Sequence, residues 1–270
     1  MMRTAILAIS FLAVVPVTTT AFAQTSAPNG AAAATGAATS GTHEPKPKSE
    51  DENKAVLAMG KATDVDQRIK LADALITRYP DTEYKGLARL IEAAAYHQKG
   101  DDVKSVIYGE ESLEADPNNF KTLLLMADVY SQTTHNTDLD MEDRLTKSDK
   151  YAQEALVLLK TAPKPDARLS DSDWNNAKKG EESRAYIAMG LDAIIRGKFN
   201  DAKTNIEKGM DLYADPLDML RIDRAYCDAK RYDDAIAWSD KAASAPGASD
   251  ELKHIAAQDK IDAQILKKKK

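Results

Sequence analysis

The sequence predicts an all-α chain built as an array of antiparallel helix pairs, and three observations carry that expectation. Two stretches overlay at a step of 33 residues, with Met189 on Ile222, Phe199 on Tyr232 and Ala202 on Ala235. An upstream pair repeats at a step of 34, with Ala93 matching Ala127 and Tyr96 matching Tyr130. From about Asp51 onward no stretch sustains the apolar–polar alternation of a strand, while Gly and Pro gather at the ends of helical runs. A repeat of this period marks stacked helical hairpins, none of which buries its apolar face without a neighbour.

The first segment reads as an address. Arg3 gives a positive start, Ala5 to Val17 is an apolar run broken by Pro16, and Ala21-Phe-Ala23 is a small-x-small cleavage site. Residues 1–23 are therefore expected to be a secretory signal peptide cut before Gln24, which places the mature chain in the periplasm or outside the cell. Residues 24–50 are rich in Ala, Thr, Ser, Gly and Pro and hold no aromatic or large aliphatic residue, so they are expected to form a disordered tether.

The helical domain is expected over 51–266. It opens with a half-unit at about 64–83, in which Ile69, Ala72, Leu75 and Ile76 form an apolar stripe ending at Tyr79-Pro80-Asp81. A full unit follows at 86–119, closed by Leu113-Glu-Ala-Asp-Pro-Asn-Asn119. The next, 120–162, is interrupted by a charged insertion over Ser131 to Thr146, after which its second helix runs through Tyr151, Ala152, Ala155 and Leu156. Ser170 or Ser172 is placed to cap a long helix that runs past Trp174 to Arg196, with Trp174 lying over the neighbouring hairpin.

Two units then come in immediate succession, 183–216 and 216–245. In the first, Gly197 ends one helix and Phe199, Ala202, Ile206 and Gly209 mark the inner side of the next. In the second, Asp223 stands where the helices should touch through a small residue, so a looser first helix is expected there. Leu252, Ile255, Ala256, Ala263 and Leu266 give 249–266 the stripe of a capping helix, and Lys267 to Lys270 form a short basic tail.

These units resemble the tetratricopeptide repeat (TPR). In that family the first helix carries a large apolar residue, a small residue at the crossing and an aromatic three positions on. The second helix opens near Gly-x-aromatic. Met189 and Gly190 supply the large apolar and the small residue, with Tyr186 on the same face, and Gly197, Phe199 and Ala202 follow at the opening of the second helix. Ala93 with Tyr96 and Ala127 with Tyr130 supply the small residue and the aromatic three positions on, and the 113–119 closure resembles the family's Leu-Asp-Pro-Asn-Asn. The resemblance, over roughly Asp64 to Ala245, implies a right-handed superhelical α-solenoid of about four units plus the half-unit and the cap. It also implies a concave face, lined by the first helices, that binds a protein or peptide. Carried over by position, that face would hold Lys121, Leu124, Leu125, Asp128, Arg184, Ile187, Leu191, Arg221 and Arg224. The paired Lys and Asn side chains with which chaperone-binding members clamp a terminal carboxylate are not recognisable.

Composition and motifs disfavour chemistry. With 37 basic and 43 acidic residues the net charge is −6, which argues against a nucleic-acid partner. His43, His97, His135 and His254 are scattered without metal-ligand spacing. Asn136-x-Asp138-x-Asp140 is too far from a calcium loop, since Met141 stands where Gly is needed and Lys147 where the bidentate Glu should be. Cys227, the single cysteine, sits in an apolar helical pattern and reads as a small buried hydrophobe. The expectation is a non-enzymatic interaction scaffold with no cofactor or metal. The alternative is an envelope-assembly or cell-wall factor held near the membrane by its tail and tether.

Overall fold

Ser49 starts the helical region: its Oγ accepts a hydrogen bond from the Glu52 N–H and opens α1 (Glu50–Lys61). The computed structural model describes residues 45–269, so the signal segment and the tether up to Glu44 lie outside the described residues. Among the described residues every regular element is an α-helix. After α1 come α2 (Val65–Arg78), α3 (Lys85–Gln98), α4 (Asp102–Ala115) and α5 (Phe120–Thr133). Then follow α6 (Met141–Leu159), α7 (Asp171–Ile195) and α8 (Phe199–Leu212). The series closes with α9 (Pro216–Asp228), α10 (Tyr232–Ser244) and α11 (Asp250–Lys268).

Helices pair in chain order: α3 with α4, α5 with α6, α7 with α8, α9 with α10. The expected N-terminal half-unit is in fact a hairpin, because α1 packs on α2 through Met59, Ala55 and Val56 against Ala72 and Leu75. The charged first helix, with Glu50, Asp51 and Glu52 in its opening turn, hid this in the sequence. The last stretch of the expected tether is also fastened. The Tyr84 hydroxyl donates to the Pro45 carbonyl at 2.8 Å and the Lys46 N–H donates to Glu83 at 2.9 Å. The buried Glu52 carboxylate accepts from the Thr82 hydroxyl and the Lys48 N–H, both at 2.6 Å.

First helices of successive hairpins touch, α3 with α5, α5 with α7, α7 with α9, whereas second helices make at most marginal contact with one another. A row that is close on one side and open on the other bends toward its close side. The first helices therefore line the inner face.

Glycine allows the closest helix approach. A Cβ on Gly190 would lie 2.6 Å from Cγ1 of the fully buried Ile206, and one on Gly209 3.1 Å from the Ser183 carbonyl oxygen. The 33-residue step extends to the turns. Gly100, Gly197 and Lys230 all adopt left-handed backbone, with φ of 74°, 72° and 59°. Each is followed by a residue whose N–H closes the same long bond: Asp101 to Tyr96, Lys198 to Ala193, Arg231 to Tyr226. Lys230 thus holds a glycine conformation with a side chain. Lys230→Gly is expected to stabilise the protein by about 1 kcal/mol, read as a raised unfolding midpoint in urea.

Three further expectations need adjustment, and a fourth, which left two residues open, is resolved. The insertion is shorter than 131–146, since α5 continues to Thr133 and α6 begins at Met141, leaving 134–140 as the irregular part. In it the Asp138 carboxylate accepts the His135 N–H at 2.8 Å and shapes a turn. The helix after 249 runs on through Lys268, so the start of the basic tail continues α11, with Lys270 outside the described residues, and Lys267 pairs with Asp233 of α10. At Asp223 the helices still pack closely: its carboxylate is buried and accepts from the Ser239 hydroxyl of α10 at 3.0 Å, beside the fully buried Ala235. Finally, Ser170 is the cap of α7, and Trp174 donates its indole N–H to the Ala162 carbonyl at 3.1 Å.

Candidate partner-binding face

The expected face residues divide sharply by burial. Leu124, Leu125, Ile187 and Leu191 are buried among neighbouring helices. Leu124 lies in the cluster around Leu113, Tyr130, Ala152 and Ala185, and Ile187 and Leu191 in the one around Ile206, Ile222 and Tyr226. Leu124, Leu125 and Ile187 hold hairpins together and do not present themselves to a partner; Leu191 is packed the same way and also borders the open inner face. Their spacing on the first helices is correct for the inner row, but α5 and α7 are each gripped from several sides, so the apolar part of that row is consumed by packing.

The polar members form a charged seam instead. Arg184 of α7 donates to Asp128 of α5 at 2.5 Å and to Glu181 of its own helix at 2.9 Å. Arg221 of α9 donates to Asp218 at 2.7 Å, and Arg224 donates through Nε to Asp259 of α11 at 3.0 Å. Burial works against the charge on Arg184, yet Asp128 and Glu181 outweigh it and its pKa is raised. Burial raises the Asp218 carboxyl above the ordinary range, with Arg221 opposing. Lys121, at the start of α5, makes no hydrogen bond or ion pair among the described residues; burial lowers its pKa, and only Glu181 works the other way.

Beyond this seam the inner face opens into a cleft of 240 Å³. Its floor is the C-terminal part of α7, with Leu191, Ile194 and Ile195. One wall is α9, which contributes Arg221, Arg224 and Ala225; the other is the end of α5 and the irregular loop, with Gln132, His135 and Asn136. Arg221 and Arg224 were expected at the face from their register. The loop residues were not; the only sequence signal for them was the break in the repeat.

Two side chains elsewhere are notable for their surroundings, Cys227 and His97. The Cys227 thiol, half-buried, is pushed up to about 11 by burial and then by the carboxylates around it, which leaves a poor nucleophile. His97 Nδ1 is 2.8 Å from Asp102 at the turn between α3 and α4.

No protein-family model matches the sequence, and no curated protein matches it either. Among solved structures, the chain is similar to a thermophilic TPR protein of Thermus thermophilus, with a TM-score of 0.51 and 14% identity over 78% of this chain and 99% of that one. The fold is that of a TPR protein: an α-solenoid of helix pairs.

Proposed function

We propose that this protein is a non-enzymatic scaffold that binds a protein or an extended peptide segment on the first-helix face of its array. The carrying observation is the cleft between α7, α9 and the loop 134–140, where the inner face is open and is lined by both apolar and polar groups. The solenoid fold supports this reading, since stacked hairpins present long inner surfaces. The poorly nucleophilic thiol of Cys227 supports the absence of catalysis. The Ala5–Val17 run and the Ala21-Phe-Ala23 site support export, with the periplasm or the cell exterior as destination. The membrane-associated alternative draws less support, because Lys267 is engaged by Asp233.

A photocrosslinking side chain at Gln132 or Ile195, in the cleft, should form an adduct with the partner in cells of the source organism. One at Val103, on the exposed side of α4, should not. The recovered protein should begin at Gln24 by mass spectrometry. Equal labelling from Val103, or none from the cleft positions, would count against the binding face.

A further inference from the structure

We infer that the binding face selects an acidic segment, an extended peptide whose carboxylates meet Arg221 and Arg224. This rests on the face proposed above and adds the chemistry of the partner. The supporting observation is the orientation of the charge pairs. In each the carboxylate is the more enclosed member and the arginine the more exposed. Arg184 is 30% exposed against 12% for Asp128 and 14% for Glu181. Arg221 is 24% exposed against 6% for Asp218, and Arg224 39% against 20% for Asp259. The seam therefore leaves its guanidinium groups more accessible than its acids, and two of them, Arg221 and Arg224, line the groove, although the chain as a whole carries a net charge of −6.

The geometry leaves donors to spare. Arg221 spends one Nη on Asp218, and Arg224 spends only Nε on Asp259, so the outer N–H groups of both point away from their carboxylates. A guanidinium already held by an acid is pre-oriented and loses little side-chain entropy on receiving a second one. Of the apolar floor beneath them Ile195 is the partly exposed member, and it suits a residue with an aliphatic stem next to the acid. Among the described residues, Asp228 is the one carboxylate in the cleft wall; it lies one turn beyond Arg224 in the last turn of α9, where His135 and Arg224 oppose the upward push of burial on its carboxyl.

The test uses the full mature chain and fluorescein-labelled extended peptides that share the same alternating Leu residues and carry Glu, Gln or Lys between them. The Glu peptide should bind at least about tenfold more tightly than the Gln peptide, and the Lys peptide least, with the preference shrinking as salt rises. Arg224→Gln should lower the Glu-peptide affinity about tenfold without moving the Gln peptide; Asp259 is partly solvated, so this variant should keep its fold. Arg221→Lys, which keeps the charge but not the fork, should lower it by a smaller factor. Equal binding of Glu and Gln peptides that compete for the cleft would overturn the acidic inference and leave the binding face standing. Failure of all three peptides would sink both. Tighter binding of single-stranded RNA than of the Glu peptide, abolished by Arg224→Gln, would reassign the two arginines to another class of ligand and overturn the inference as well.

Discussion

Leu124→Glu is expected to unfold the central hairpins rather than to disturb a partner. Leu124 is 1% exposed and sits between α5, α6 and the next first helix, packed with Tyr130, Ala152 and Ala185. Removing a buried leucine side chain costs about 2–5 kcal/mol, and leaving an unpaired carboxylate in its place adds several more. The sum rivals the whole stability of an ordinary domain, about 5–15 kcal/mol. Far-UV circular dichroism should show loss of helix at room temperature. A folded Leu124→Glu protein melting within a few degrees of the parent would mean that this side chain is on the surface. Arg224→Gln, on the same face but more than a third exposed, provides the contrast and should melt near the parent.

Asp223→Asn is expected to stabilise the protein strongly at alkaline pH and hardly at all at pH 4. Burial pushes the Asp223 carboxyl up to about 7 from 3.8, and neighbouring Asp259 adds to it, while Ser239 and Arg224 oppose. Between those two values the folded chain holds a proton that the unfolded chain has released, so stability falls as pH rises. Below about pH 4 both states are protonated and nothing is lost. Above about pH 7 the full cost of the buried charge is present, about 4 kcal/mol at roughly 1.4 kcal/mol per unit. The asparagine variant removes that cost and should melt about 10 °C higher at pH 8. Asp218 and Asp192 are raised in the same direction, first by burial, so the parent protein should melt higher at pH 5 than at pH 8. A parent melting point that rises from pH 5 to pH 8 would refute this account.

The repeat was legible because its requirements are local and recurrent. Gly190 and Ala202 mark a crossing, Gly197 marks a turn, and the same residues return one period away. The turn at Lys230 could be placed from Gly197 alone, although lysine carries no signal of its own for left-handed backbone. What the pattern concealed was α1, whose inward face is Met59 with a buried Glu52 in an otherwise charged helix. The face was half legible. Register along the first helices identified which residues turn inward, but register cannot tell an inner residue that meets solvent from one that meets the adjacent hairpin. Leu124 and Ile187 fell on the wrong side of that distinction, Arg221 and Arg224 on the right one. The cleft wall at His135 and Asn136 belongs to the break in the repeat, where periodicity has nothing to say.

α7 has 25 residues and its partner α8 has 14, so the first helix extends some eleven residues, about 16 Å, past the end of its own hairpin. That overhang is anchored by Trp174 to the chain leaving α6, and the C-terminal half of α7 carries Ile187, Leu191 and Ile194 into the cluster it shares with α8 and α9. It acts as a splint laid across a joint. A solenoid of equal units can gain or lose a hairpin by duplication or deletion, since each module ends where the next begins. Here no cut between α6 and α8 leaves two intact modules, so the two halves of this array should be inherited together and should not be exchanged as cassettes.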